Sequence, residues 1–139
     1  FEDLYQADVF EVFFHPNPSV PLYFEYEINP LEKELVLMVP NFQGKFYGWL
    51  PWHYEGDRKV QKKVSIKHIS GGIGTWSAEL FIPFTLLTPL ENVPAKPGSI
   101  WKGNFCRLDY DSGKMAKWSW SPLPGTFHDY KKYGVFLFK

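Results

Sequence analysis

The chain of 139 residues balances fifteen Lys and Arg against fifteen Asp and Glu. That is the length of one domain able to bury a core without disulfides, and the balance leaves no electrostatic footprint for a nucleic acid or an anionic membrane. Its single cysteine, Cys106, excludes an internal disulfide and a cysteine-rich zinc site. No apolar run approaches the roughly 18 residues of a membrane span, so no membrane insertion is expected. Aromatic residues make up 19% of the chain, more than a core of this size needs, which favours a stacking surface.

Beta signals dominate in chain order. Residues 8–14 alternate and stop at His15-Pro16-Asn17-Pro18, a strand closed by a proline-rich turn. Residues 22–29 alternate strictly, with Leu22, Phe24, Tyr26 and Ile28 on one side and Tyr23, Glu25, Glu27 and Asn29 on the other. Residues 34–39 form a third strand, expected to end before Pro40. The stretch 40–59 is irregular and rich in aromatics and glycine, the profile of a functional loop. Residues 60–68 and 73–82 read as a hairpin about Ser70-Gly71-Gly72. Further strands follow at 100–109, 117–120 and 135–138. Only single helical turns are expected, at 84–87 and 129–132, because no segment sustains a 3.6-residue period. Short strands divided by turn signals predict an all-β chain, an antiparallel β-sandwich of one domain over residues 1–139.

Alternation also predicts faces. With Phe10, Val12 and Phe14 in the core, Val9, Glu11 and Phe13 point the other way. Burial of Cys106 and Leu108 would then leave Phe105, Arg107 and Asp109 outside, beside Glu11, Glu25 and Glu27. The plain reading of such a face is a solvated sheet surface with cross-strand ion pairs. The functional reading is a hydrogen-bonding surface for hydroxyls. Trp76, Trp101 and Trp118 or Trp120 lie in strand-like alternation and read as core. Tyr5, Phe46, Tyr47, Trp49, Trp52, Tyr54 and Phe127 lie in loops or at edges, where a ring can stack on the apolar face of a sugar. Enzyme signatures are absent: the four histidines lack metal-ligand spacing, no nucleophile elbow occurs, and no carboxylate pair has neighbours that would raise one pKa.

Several segments together resemble a known family. They are Asp8–Phe13, Tyr23–Pro30, Thr75–Phe84, Trp101–Asp109, Trp120-Ser121-Pro122 and the run from Phe127 to Gly134. In order and spacing they are similar to family 9 carbohydrate-binding modules and the related DOMON group, whose fold is a β-sandwich of immunoglobulin or jelly-roll type. The chain resembles the C-terminal two-thirds of that family, with further N-terminal strands expected ahead of it.

The resemblance implies non-catalytic binding of an oligo- or polysaccharide. Tyr5 falls where the family has its first stacking aromatic, Glu11 at a hydroxyl-binding carboxylate, and Phe127 at the second aromatic, where tryptophan is usual. Arg107 replaces a glutamine, which changes the hydrogen bonding from mixed to donor only. Asp109 and Glu25 are expected to orient Arg107, and Trp49 and Trp52 to extend the platform. No metal ligand is assigned and no cofactor is expected; calcium is the one ion the family leaves open, and haem is disfavoured. The competing readings are a structural or interaction sandwich appended to a polysaccharide-processing system, and a haem-binding DOMON-like domain. The resemblance also implies an extracellular or periplasmic setting.

Overall fold

A computed structural model describes residues 3–139. It is an antiparallel β-sandwich without a helix longer than a single 3-10 turn. The strands are β1 (Val9–His15), β2 (Leu22–Ile28), β3 (Glu34–Phe42), β4 (Lys45–Phe46), β5 (Leu50–Pro51), β6 (Gln61–Ile69), β7 (Gly72–Phe81), β8 (Ile100–Asp109), β9 (Ala116–Ser119) and β10 (Gly134–Leu137). The main sheet runs β10-β8-β1-β2-β3-β4, with β5 added to β3 and β9 to β8, while β6 and β7 form a separate hairpin. The single helical turns expected near 84–87 and 129–132 are present as Phe84–Leu87 and Tyr130–Lys132. β3 runs past Pro40, whose carbonyl accepts the Tyr47 N–H at 2.8 Å.

Both faces of the main sheet are covered. On one face Val12, Phe24, Tyr26, Ile28, Val36, Met38 and Trp101 pack with Leu86, Leu87 and Leu90, and with the inner side chains Val64, Ala78 and Leu80 of the β6–β7 hairpin. On the other, Val9, Phe13, Tyr23, Leu37, Val39, Cys106 and Leu108 are capped by Leu4 and by Phe127, Tyr130 and Tyr133 of the C-terminal segment. Burial on both faces explains why β2 is buried at six of its seven positions although its sequence alternates apolar with polar. Gly103 is required here: a Cβ would strike the Phe13 carbonyl and the Phe136 ring.

The register corrects the expected faces. In the β1–β8 ladder Glu11 opposes Cys106 and Phe10 opposes Arg107, and residues directly opposite share a face. Cys106 and Leu108 are buried as expected, but on the Glu11 face. Phe105, Arg107 and Asp109 stand on the Phe10 face, beneath the hairpin. Neither strand's own alternation reveals this, because both faces are covered and burial no longer identifies one of them as inside. Among the tryptophans, Trp101 is buried and Trp76 is half-buried, whereas Trp118 and Trp120 are exposed rather than core.

Candidate functional site

On the C-terminally capped face, the middle rows of the sheet carry three carboxylates. Glu11 of β1 opposes Glu27 of β2, and Glu25 opposes Phe13. Alternation along β2 puts Glu25 and Glu27 side by side on this face. All three are buried, and they form the floor of a cleft of about 290 Å³. That lies near the lower end of the roughly 300–1,000 Å³ usual for ligand pockets.

The walls are aromatic. Tyr5, on the single turn Leu4–Gln6, is 43% exposed, and Trp49, between β4 and β5, is 48% exposed. Both also line an adjoining recess with Leu35, Leu37 and Pro51, and with the acidic Asp3 and Glu27. The segment carrying Tyr5 is tied down by the Tyr110 hydroxyl, which donates to the Tyr5 carbonyl at 2.7 Å. Trp49 packs on Phe46 at 5.5 Å and on His128 at 5.8 Å between ring centroids. His128 is itself held by a 2.7 Å hydrogen bond between its Nδ1 and the Tyr23 hydroxyl and by stacking on Phe46 at 4.2 Å. The platform is therefore built in advance of any ligand.

Burial controls the protonation of this cleft. It raises Glu11 to about 8, with the Glu27 charge adding to the effect and Lys117 opposing it. Glu27 is raised to about 7, again chiefly by burial, and Glu25 is raised well above the carboxylate range by burial and by both neighbouring glutamates. Like-charge proximity adds to burial here, so the cleft favours neutral over ionised glutamates. Even so, Oε2 of Glu25 and Oε2 of Glu27 are buried without a protein partner, a state that costs free energy until a donor arrives. Burial lowers His128 to about 4, so the ring is neutral at physiological pH.

The expectation that no carboxylate pair has neighbours that raise a pKa is overturned, because tertiary packing buries the three glutamates and sets like charges beside one another. All three shift in the same direction. Glycosidic hydrolysis instead needs one carboxyl held up beside an ionised partner.

The cleft brings together Tyr5, Glu11, Glu25, Trp49 and Phe127 from the residues singled out in the sequence. It leaves out three. Arg107 lies on the opposite face, where its Nη2 pairs with Asp109 Oδ2 at 2.8 Å. Asp109 also accepts the Asp111 N–H, and with Asp8 and Asp111 it forms an exposed-edge acidic group. Glu25, across the sheet, does not orient Arg107. Trp52 is on the hairpin side too, its indole N–H donating to the Leu86 carbonyl at 2.8 Å.

Phe127 reaches the cleft but is not an exposed platform. It is only 8% exposed and belongs to the capping core, with its carbonyl accepting the Tyr133 hydroxyl at 2.9 Å. The Pro124-Gly125 turn before it reads as a surface loop, yet the chain folds back and buries the ring.

Sequence reasoning put Glu27 on the same face as Glu25 without giving it a role in the site, and it missed Lys117 and His128 as lining residues. Lys117 opposes Leu108 in the β8–β9 ladder, which puts it on the Glu11 face. Its ammonium sits 5.7 Å from the centre of the Phe127 ring. The signal for Glu27 was present, since it alternates in step with Glu25; the position of Lys117 depends on pairing between strands distant from β1.

No family model and no curated protein sequence matches the chain. Its fold is shared with a solved structure from Bacteroides uniformis described as a putative carbohydrate-binding protein. The TM-score is 0.76 and the identity 19%, over 99% of this chain and 63% of the other. The chain thus spans less than two-thirds of that protein. The finding shows a common fold, and it does not single out the family 9 or DOMON groups.

Proposed function

We propose that the protein binds carbohydrate at the Glu11–Glu25–Glu27 cleft and does not turn it over. The observation that carries this reading is the juxtaposition of two exposed rings, Tyr5 and Trp49, with carboxylates whose buried oxygens lack donors. A sugar supplies both complements. Its C–H face stacks on an aromatic ring, and its hydroxyls donate to carboxylate oxygens while accepting from Lys117. The solved structure sharing the fold, itself described as carbohydrate-binding, supports the same reading. The shared upward shift of the three glutamates supports binding over hydrolysis. This reading places the protein where polysaccharide is met, outside the cell or in the periplasm. Among the described residues no helix is long and apolar enough to cross a membrane.

The test is a titration of the purified protein with a panel of neutral oligosaccharides, followed by tryptophan fluorescence and calorimetry. Binding that disappears in Trp49→Ala and leaves the sugar chemically unchanged after prolonged incubation is the expected result. No binding by any saccharide, with a Soret band on haem addition, would replace this reading with the haem-binding one.

A further inference from the structure

A second cleft opens on the same face of the sheet, at the far end of the strands. It encloses about 400 Å³ and is separated from the carboxylate cleft by the packed rings of Phe13, Tyr23 and Tyr133. Its chemistry is the reverse of the first. Among the described residues no acidic side chain lines it, while Lys102 and Lys131 both do. Asn41, at the end of β3, is 5% exposed, and its side-chain Nδ2 is buried without any partner.

The Tyr130 hydroxyl at the cleft accepts the Gly44 N–H at 2.7 Å and keeps its own proton to donate. His15, buried at the back, uses its Nε2–H on the Val20 carbonyl at 2.9 Å, which orients the ring. A buried amide donor without an acceptor is expensive to maintain, and two lysines line the same cleft, Lys102 with its Nζ donating to the Tyr133 carbonyl at 3.5 Å. We propose that this second cleft binds an oxyanion, the carboxylate or sulfate ester of an acidic saccharide, with Asn41 Nδ2, the Tyr130 hydroxyl and the two lysines as donors. Charge-assisted hydrogen bonds from ammonium to oxyanion are the strong kind, and the buried amide adds a direction that surface lysines lack. The inference is independent of the carboxylate cleft.

The experiment uses 15N-labelled protein titrated separately with galacturonate, its neutral methyl ester and galactose 6-sulfate. The expected result is movement of the Asn41 side-chain amide and the Gln43 and Gly44 backbone amides with either charged sugar, and none with the ester. Galacturonate alone, or the sulfate alone, would identify which oxyanion the cleft takes. Lys131→Met combined with Lys102→Met removes both charges and keeps the length of the side chains, and it should weaken the charged ligand at least about tenfold. Three outcomes would overturn the proposal. They are equal response to the ester, response confined to the Trp49 indole and its neighbours, and unchanged affinity in the double variant. Because the readout is assigned residue by residue, loss of neutral-sugar binding at the first cleft would not be mistaken for failure here.

Discussion

Glu11 and Arg107 lie on neighbouring strands one register step apart, yet they face opposite sides of the sheet, with Glu11 opposite Cys106 and Arg107 opposite Phe10. A one-residue difference in pairing exchanges every side chain between faces. The cation available to the carboxylate cleft is therefore Lys117, brought round by the β8–β9 ladder. Arg107 is occupied with Asp109 under the hairpin.

The first prediction separates these two cations. Lys117→Met should weaken saccharide binding several-fold, because a donor to hydroxyls is lost and the glutamates lose their opposing charge. Arg107→Met should leave affinity unchanged and cost no more than about 1 kcal/mol of stability, the usual worth of a partly exposed ion pair. Calorimetric titration of both variants decides; an Arg107 variant that loses affinity while Lys117→Met does not would reverse the assignment.

Trp49 and Phe127 should behave as different kinds of residue. Trp49→Ala removes an exposed ring and should cost roughly 1–3 kcal/mol of binding, by analogy with base stacking on aromatics. That corresponds to about a tenfold to hundredfold loss of affinity. Fluorescence of the remaining tryptophans or calorimetry reads the loss directly.

Phe127→Ala, by contrast, empties part of the capping core and should destabilise the fold by about 3–5 kcal/mol. Affinity per folded molecule should change less than for Trp49→Ala. Urea melts of the two variants, run beside their titrations, give both numbers. A Phe127 variant of unaltered stability would contradict its burial in that core.

Stability should also depend on pH in a definite direction. Glu11 and Glu27 ionise near 4.5 when free but near 8 and 7 in the fold. Between those limits the folded protein keeps protons that the unfolded chain has released, so rising pH favours unfolding. His128, lowered from 6.5 to about 4, acts oppositely, as does His15. Their contributions grow as pH rises towards 6.5 and are then complete. The melting temperature is accordingly expected to fall between pH 6.5 and pH 8.5. Glu11→Gln should flatten that fall and raise the melting temperature at the alkaline end. A melting temperature that climbs across this range in the parent protein would refute the assignment.

The residues alone determined that this chain is all-β, that strands lie near 8–14, 22–29, 60–68, 73–82 and 100–109, and that Glu11, Glu25, Tyr5 and Trp49 are candidates for one surface. Those features are local: period-two alternation, proline and glycine punctuation, and aromatics in a loop too apolar to be disordered. Which residues share a face is not local. It depends on the pairing of β1 with β8, across about a hundred positions of chain, and on that of β8 with β9. Coverage of the sheet on both sides removed the usual clue, since a buried residue could belong to either face. Tertiary structure alone excluded Arg107, Asp109 and Trp52 from the cleft, recruited Lys117 and His128, and turned Phe127 inward. It also raised the three glutamates, because desolvation is a property of what surrounds a carboxylate and not of its neighbours in sequence.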